Sequence, residues 1–403
     1  MDLAMAFLNN TGSKDPITKR CQKDQTTKDR LRYNPYYLSF EKQKGSRVWH
    51  DGKELVMLSS NEYIGLGEHP KILEAGKRAF DEWGSSTTGA RPSNGTRSYH
   101  QRLEEKLAAF IGKEACHISA AGYLSCMSAV ASFAHRGDVI LADKNVHSSL
   151  VSGIRLSDAR VERFSHNNTV DLEDILSYEK KETAKMLVFD GIYSMEGHIA
   201  PVEEFVRISK EHQCFMVMDD AHGFGVMGEN GRGTANHFNC TDDIDIICGS
   251  FSKALSSIGG FVVGSKMLIE YLRTHSKQTI FSAAISPSQA ACAEAALDIL
   301  QTEPEHVKKL WENTRRLKAI FDDLGLDTWG SDTPALPVVI GNRDRAFFFW
   351  KCLLDHGVFT VLSTSPGVPP GKDLIRTAAS ARHTEEDFEI IEKAFRIAAK
   401  KVL

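Results

Sequence analysis

Between residues 116 and 263, short apolar runs alternate with amphipathic or polar stretches along the chain. The runs lack the every-second-residue alternation of a half-exposed strand, which is typical of strands covered on both faces. They predict strands at Cys116–Ser119, Val139–Ala142, Val161–Phe164, Met186–Phe189, Phe215–Met218, Ile244–Cys248 and Phe261–Val263. Buried strands joined by helices predict an α/β fold with a mainly parallel, seven-stranded sheet.

Apolar residues at helical spacing predict helices on both sides of this region. The predicted helices cover residues 100–111, 285–300, 305–324 and 346–356, and a last helix runs from an N-cap at Thr384 to the C-terminus. Further apolar runs predict strands near 336–340, 358–362 and 374–378. We therefore predict an N-terminal arm and segment at 1–58, a large domain at 59–300 and a smaller α+β domain at 301–403. The polar residues 1–30 are typical of a flexible or partner-contacting arm.

The composition is that of an ordinary globular protein, with 42% hydrophobic and 25% charged residues among 403. Net charge is −4 and the basic residues are scattered, which argues against nucleic acid as a partner. The eight cysteines form no CxxC pair and no His/Cys ligand spacing, so we expect a cytoplasmic protein without a structural metal. No apolar stretch reaches ~18 residues and no cleavage site follows the apolar run at 3–8, so neither a transmembrane segment nor secretion is predicted.

Polar and reactive side chains follow several of the predicted strands directly. These strand-end segments are 121–123, 143–147, 190–196, 219–222 and 250–253. Because ligands collect beyond the carboxyl ends of the strands in a parallel sheet, we expect these segments to form one site.

Lys253 is the most reactive side chain in these segments. It lies in Ser250-Phe251-Ser252-Lys253-Ala254, among small residues and ahead of the apolar run at 260–264. An amine in such a cleft can form a Schiff base with a carbonyl group. The alternative is a surface lysine in a Ser/Gly loop, and this stretch alone favours neither.

Two strand ends carry an imidazole or a carboxylate whose role the spacing leaves open. Asp219 ends an apolar run three residues before His222, and a buried carboxylate there needs a cationic partner. Asp220 is expected to point the opposite way and to be structural, and His147 alone is compatible with a structural histidine.

The G-x-G-x-x-G match at 223–228 leads into a polar turn instead of a helix, which argues against a dinucleotide fold.

Together these segments resemble the α-oxoamine synthases, a family of pyridoxal-phosphate (PLP) enzymes of fold type I. The family includes 8-amino-7-oxononanoate synthase, 2-amino-3-ketobutyrate CoA ligase and serine palmitoyltransferase. The resemblance runs from about residue 33 to the C-terminus. The matching segments are Asn61–Leu66, Gly95 with His100 and Leu103-Glu104, Ala121–Tyr123, Asp143 with His147–Ser149, Tyr193–Gly197, Asp219–Gly223, Gly228–Gly233 and Ser250–Ala254.

The resemblance implies a role for each residue around the cofactor ring. Lys253 would carry the covalent link to PLP, and Asp219 would pair with the protonated ring nitrogen and keep the ring an electron sink. His222 and Ser194 would lie near the phenolic oxygen, and His147 would stack on the face of the ring.

The resemblance also implies a phosphate site and a dimer. The backbone of Gly122 and Tyr123, together with the Ser250 hydroxyl, would hold the phosphate at a helix start. The hydroxyl of Ser282 would reach the phosphate of a partner subunit, which implies a homodimer with shared active sites.

By the same resemblance, Arg376 would clamp the carboxylate of an amino-acid substrate, with Asn61 assisting. Many relatives have a second arginine two residues earlier, where this chain has Leu374. The segment at 219–223 is closer in style to alanine-using relatives, whereas 228–234 is closer to glycine-using ones. These hints conflict, so the resemblance leaves glycine, alanine and serine open.

The expected function is a decarboxylating condensation of a small amino acid with an acyl-CoA, releasing CoA and CO2 and giving an α-aminoketone. Two alternatives stay open: another fold type I reaction, such as transamination or aldol cleavage, and a non-catalytic partner subunit of a synthase. The presence of Lys253 argues against the last.

Overall fold

The computed structural model describes residues 15–22 and 34–403. Of the predicted arm, only 15–22 falls within this range, and a short helix, α1 (16–22), forms there. The rest of the arm, at 1–14 and 23–30, lies outside the described residues.

The strands follow one another from a short N-terminal group to the C-terminal unit. They are β1 (Lys42–Lys44), β2 (Arg47–His50), β3 (Lys53–Met57), β4 (Ala115–Ser119), β5 (Val139–Asp143), β6 (Arg160–Phe164), β7 (Lys185–Asp190), β8 (Cys214–Asp219), β9 (Ile246–Ser250), β10 (Gly260–Gly264), β11 (Ala335–Val339), β12 (Val358–Phe359), β13 (Val361–Ser363) and β14 (Leu374–Ala378).

The remaining helices of the described chain connect and cover these strands. They are α2 (Pro70–Trp83), α3 (Ser98–Ile111), α4 (Gly122–Ala131), α5 (Ser148–Leu156), α6 (Thr169–Ser177), α7 (Val202–His212), α8 (Thr234–His237), α9 (Lys266–His275), α10 (Lys277–Ile280), α11 (Pro287–Thr302), α12 (Glu305–Asp323), α13 (Arg343–Asp355) and α14 (Glu385–Val402). None of these described helices combines the length and apolar character needed to cross a membrane.

The large sheet has seven strands in the order β4-β10-β9-β8-β7-β5-β6. Strand β10 runs antiparallel to both neighbours, and the other pairs are parallel. All seven predicted strands are therefore confirmed, as is the mainly parallel sheet. Because β4 and β9 both oppose β10, the carboxyl ends of six strands share one edge.

Burial on both faces explains why the strand sequences lack alternation. Along β5 and β7 every residue is buried. Leu141 and Leu187 belong to one hydrophobic cluster, while their neighbours Ile140 and Met186 belong to a second cluster on the opposite face. Both faces exclude water, so apolar residues are required at consecutive positions.

Two smaller sheets bring the N-terminal and C-terminal parts together. Their orders are β1-β2-β3-β12 and β11-β14-β13. The single strand predicted at 358–362 is wrong, because the chain leaves one sheet for the other at Thr360. There β12 pairs with β3, and β13 pairs with β14. The Thr360 carbonyl, which breaks the run, accepts a hydrogen bond from the Trp350 indole at 2.9 Å.

The last helix begins as its sequence predicts. The Thr384 hydroxyl accepts a hydrogen bond from the Asp387 N–H at 3.3 Å, and the Asp387 carboxylate accepts one from the Thr384 N–H at 2.8 Å. This reciprocal capping satisfies donors that a helix start leaves without partners.

Candidate active site

A cavity of about 300 Å³ opens at the carboxyl edge of the large sheet. Seven residues predicted for the site line it: Gly122, Tyr123, His147, Asp219, His222, Ser250 and Lys253. They follow or end four different strands, β4, β5, β8 and β9, so the strand-end rule brings together residues that are far apart in sequence.

One end of the cavity is suited to an anion. Helix α4 begins at Gly122, and no side chain caps its first N–H groups. A Cβ on Gly122 would lie 2.5 Å from Ser250 side-chain atoms, so only glycine allows this close approach. The Ser250 hydroxyl, which is hydrogen-bonded to Ser252 at 2.7 Å, adds a polar group beside the helix start. Such an arrangement fits a phosphate.

The Asp219 carboxylate lines the same cavity and is only 4% exposed. Its Oδ1 accepts a hydrogen bond from the Ala221 N–H at 3.0 Å, and no ion pair to Asp219 is found in the described chain. A buried carboxylate without a cation is costly, and a protonated ring nitrogen would supply one. Asp220 instead accepts hydrogen bonds from the N–H and hydroxyl of Thr234, which supports the structural role expected for it.

His147 is the N-cap residue of helix α5 and lines the cavity. Its Nδ1 accepts the Ser149 N–H at 3.3 Å and lies 2.7 Å from the Ser149 hydroxyl. Burial lowers the pKa of His147, and the nearby Lys253 ammonium acts in the same direction, whereas Asp219 opposes both. The neutral ring, with Nδ1 as acceptor, therefore carries its proton on Nε2.

His222 is joined to a residue that sequence reasoning left without a role. The hydroxyl of Tyr63 lies 2.7 Å from His222 Nδ1, and burial raises the pKa of Tyr63. The pKa of His222 is well below its usual value, first because the ring is buried and then because Lys253 and Arg376 are close. A neutral imidazole and an un-ionised phenol thus face one another.

Lys253 is half-buried and lines the cavity, as the cleft interpretation requires. Its positive charge lowers the pKa of both His147 and His222, so the amine lies near both rings. Lys253 is therefore not a surface lysine in an exposed Ser/Gly loop.

Arg376, Asn61 and Ser194 form a separate group that does not line this cavity. The Arg376 Nε donates to the Ser194 carbonyl at 2.7 Å, and Nη2 donates to the Asn61 Oδ1 at 2.8 Å. Tyr63 connects the two groups: its hydroxyl is hydrogen-bonded to His222, and the nearby charge of Arg376 lowers its pKa against the effect of burial. Arg376 and Asn61, the two residues predicted to bind the substrate carboxylate, are therefore in contact, and Ser194 meets Arg376 through its backbone carbonyl.

Ser282 lies away from the cavity, on a surface lined with residues of 88–93 and 280–283. Its hydroxyl donates to the Gln278 carbonyl at 2.5 Å. A role at the phosphate of this same chain is not compatible with that position, whereas a role toward a partner subunit stays a prediction.

Further residues line the cavity that received no individual role from the sequence, although several of them lie in the predicted strand-end segments. They include Cys126, Ser149, Asp190, Ile192 and Ser252. Asp190 directly follows the run predicted at 186–189, so the strand-end rule already pointed to it. Tyr63 lies in the segment 61–66 that resembles the family, but only the fold reveals its contact with His222.

The chain matches the protein family described as "Aminotransferase class I and II" over residues 53–395. Serine palmitoyltransferase of Sphingobacterium spiritivorum is 40% identical over 363 residues, covering 90% of this chain and 91% of that protein. The 8-amino-7-oxononanoate synthase 1 of Bacillus velezensis is 38% identical over 362 residues, covering 90% and 93% respectively. A solved serine palmitoyltransferase (SPT) with its PLP internal aldimine has a TM-score of 0.93 at 31% identity, covering 96% of this chain and 99% of that chain.

These findings agree with the donor set of the cavity, which offers an amine, a buried carboxylate and an anion site for the three functional parts of PLP. The expected fold type I architecture and the expected cofactor are confirmed. The chain belongs to the α-oxoamine synthase family and is a PLP-dependent acyltransferase.

Proposed function

We propose that this enzyme condenses a small amino acid (glycine, alanine or serine) with an acyl-CoA, releasing CoA and CO2 and forming an α-aminoketone. One observation carries the proposal: the Lys253 cavity is joined through Tyr63 and His222 to the arginine at 376, which can hold a carboxylate. The names of the relatives, serine palmitoyltransferase and 8-amino-7-oxononanoate synthase, support the same reaction class.

Bound PLP supplies an electron sink for the pair that Cα retains when its proton leaves. We assign Lys253 to take that proton and to return one after CO2 has left. Between these transfers Cα bonds to the thioester carbonyl carbon, the carbon–sulfur bond breaks and CoA leaves as a thiolate. We assign the Nε2–H of His147 to the substrate carboxylate or to the forming ketone oxygen.

The remaining assignments are those that the resemblance implies, and every residue in them except Ser194 lines the cavity. Asp219 would pair with the ring nitrogen, His222 and Ser194 would lie toward the phenolic oxygen, and the Gly122–Tyr123 backbone with Ser250 would hold the phosphate. Burial keeps the His222 ring neutral, so it can accept or donate one hydrogen bond without adding charge beside Lys253.

A matrix of amino acids against acyl-CoA chain lengths tests the function. The expected result is free thiol release that requires both substrates, with one amino acid and one range of chain lengths preferred. Transamination would instead give a keto acid without CoA, and an inert chain under all conditions would support the partner-subunit alternative. Either outcome contradicts the condensation.

We further propose that the enzyme is a homodimer with shared sites, with a large domain at 59–300 and a small domain at 301–403. Ser282 lies next to Phe281, which is 83% exposed, as a segment facing a second copy would be. Sedimentation velocity measures the assembly directly. The cytoplasmic location stays a prediction.

Replacing Arg376 with lysine should weaken amino-acid binding by roughly 1 to 3 kcal/mol, the range for losing a charge-assisted hydrogen bond. The arginine is 7% exposed, and two of its nitrogens are already fixed by Ser194 and Asn61. Lysine cannot reproduce that fork. Spectral titration with amino acids measures the loss.

The control ligands are the corresponding amines without a carboxylate, which should bind wild type and Arg376→Lys almost equally. Equal losses for amino acid and amine would mean that Arg376 only supports the fold.

A further inference from the structure

A second carboxyl group lies in the cavity beside Asp219. Asp190 ends β7 and Asp219 ends β8, and these two residues are direct partners in the parallel pairing of the strands. Both line the cavity, and they are 3% and 4% exposed. Two buried carboxyl groups this close cannot both be ionised at low cost.

The surroundings of Asp190 contain little that would stabilise a charge. Its Oδ1 accepts the backbone N–H of His147 at 3.2 Å, and the described chain shows no ion pair to it. Charged or titratable groups face Asp190 from several neighbouring elements. They are Asp143 on β5 and His147 after it, Tyr193 and Glu196 after β7, Asp219 on β8, Cys248 on β9 and Lys253 after β9. Three of these seven groups are carboxyl groups, which disfavour a further negative charge on Asp190.

We propose that Asp190 is a positioning residue that works as a neutral carboxylic acid, holding the backbone of His147 and leaving Asp219 as the single anion at the base of the cavity. This inference rests on the proposed pairing of Asp219 with the ring nitrogen. Nothing in the reaction proposed above uses Asp190. Its carboxyl oxygen accepts the His147 N–H, and this hydrogen bond holds the backbone that carries the His147 ring.

The electrostatics agree with the geometry. Burial raises the pKa of Asp190 well above its usual value, and the adjacent Asp219 raises it further, whereas the His147 N–H acts in the opposite direction. A pair of acids whose pKa values are pushed apart by their environments can divide the roles of donor and anion between them.

Asparagine reproduces the neutral acid, because its amide keeps an acceptor for the His147 N–H and a donor in place of the O–H. Asp190→Asn should therefore bind PLP within about threefold of wild type and keep the absorbance spectrum of the holoenzyme. Asp190→Ala loses the acceptor, and we expect at least about tenfold weaker PLP binding with an altered spectrum. Fluorescence titration of the apoenzymes with PLP measures both.

The pH dependence of thermal stability separates a neutral acid from an anion. In wild type the Asp190 carboxyl has a higher pKa in the native state than in the unfolded chain, so the native state holds its proton to higher pH. The free energy of unfolding therefore falls as pH rises from the unfolded pKa, about 4, to the native pKa. Asp190→Asn has no such loss. Its melting temperature should therefore rise relative to wild type by about 1 to 2 °C per pH unit over that window, measured on the apoenzymes at matched scan rates.

Three outcomes would overturn the inference. Asp190→Asn could be as impaired in PLP binding as Asp190→Ala, which would mean that the charge is needed. Its melting temperature could fall relative to wild type with rising pH, which would indicate a stabilised anion. Asp190→Ala could also bind PLP as wild type does, which would leave the residue without a positioning role. The melting curves need no substrate, so failure of the condensation assay does not affect them.

Discussion

Replacing Lys253 with alanine is expected to abolish turnover while leaving a folded protein that still binds PLP through its phosphate. Among the described residues that line the cavity, Lys253 is the only amine, so no neighbour can take over its covalent link. Its role in proton transfer alone is worth about 10²- to 10⁴-fold in rate. Because the side chain is only half-buried, its removal leaves no large cavity in the core. Thiol release measures the loss.

The covalent role can be separated from the charge. Borohydride treatment followed by mass spectrometry should detect a cofactor adduct at Lys253 in wild type and none in Lys253→Ala. The control is Lys253→Arg, which keeps a cation beside His147 and His222 but cannot form the link. It should be as inactive as the alanine variant. A reducible adduct and turnover in either variant would show that another amine carries the cofactor.

The large sheet could be predicted from sequence because its burial leaves a strong and local pattern. Six of its strands are mainly apolar, whereas the edge strand β6 (Arg160–Phe164) buries only Phe164. All seven boundaries differ from the predicted ones by at most two residues. The smaller sheets gave weaker patterns. Strand β1 consists of Lys42, Gln43 and Lys44, all exposed, so no apolar residue marks it. It pairs antiparallel with β2, where Lys42 lies opposite Trp49.

The candidate site was predictable in part for the same reason. Residues that end or follow buried strands are placed by the sheet, and the prediction of a common site at 121–123, 143–147, 190–196, 219–222 and 250–253 needed only the strand-end rule. Side-chain partners are different, because they depend on how distant elements approach. The contact between Arg376 and Ser194 joins residues 182 positions apart, and the contact between Tyr63 and His222 joins residues 159 apart. No local pattern encodes such distances.

Replacing Asp219 with asparagine is expected to lower turnover by about 10²- to 10³-fold with PLP still bound. The amide can keep the hydrogen bond from the Ala221 N–H, so the local fold is preserved. It cannot stabilise a protonated ring nitrogen, however, and breaking a buried charge pair typically costs about 3 to 5 kcal/mol. The electron sink is weakened as a result, and removal of the Cα proton becomes the slow step.

Exchange of the substrate Cα hydrogen with deuterated water, followed by NMR, isolates that step from the later condensation. The exchange rate should fall with turnover in Asp219→Asn, while the affinity for the amino acid changes little. Asp220→Asn is the matched control, because its carboxyl faces Thr234 and not the cavity. It should lower the melting temperature and leave the exchange rate near wild type. Unchanged exchange in Asp219→Asn would mean that the ring nitrogen does not depend on this carboxylate, and the buried charge of Asp219 would then need a different partner.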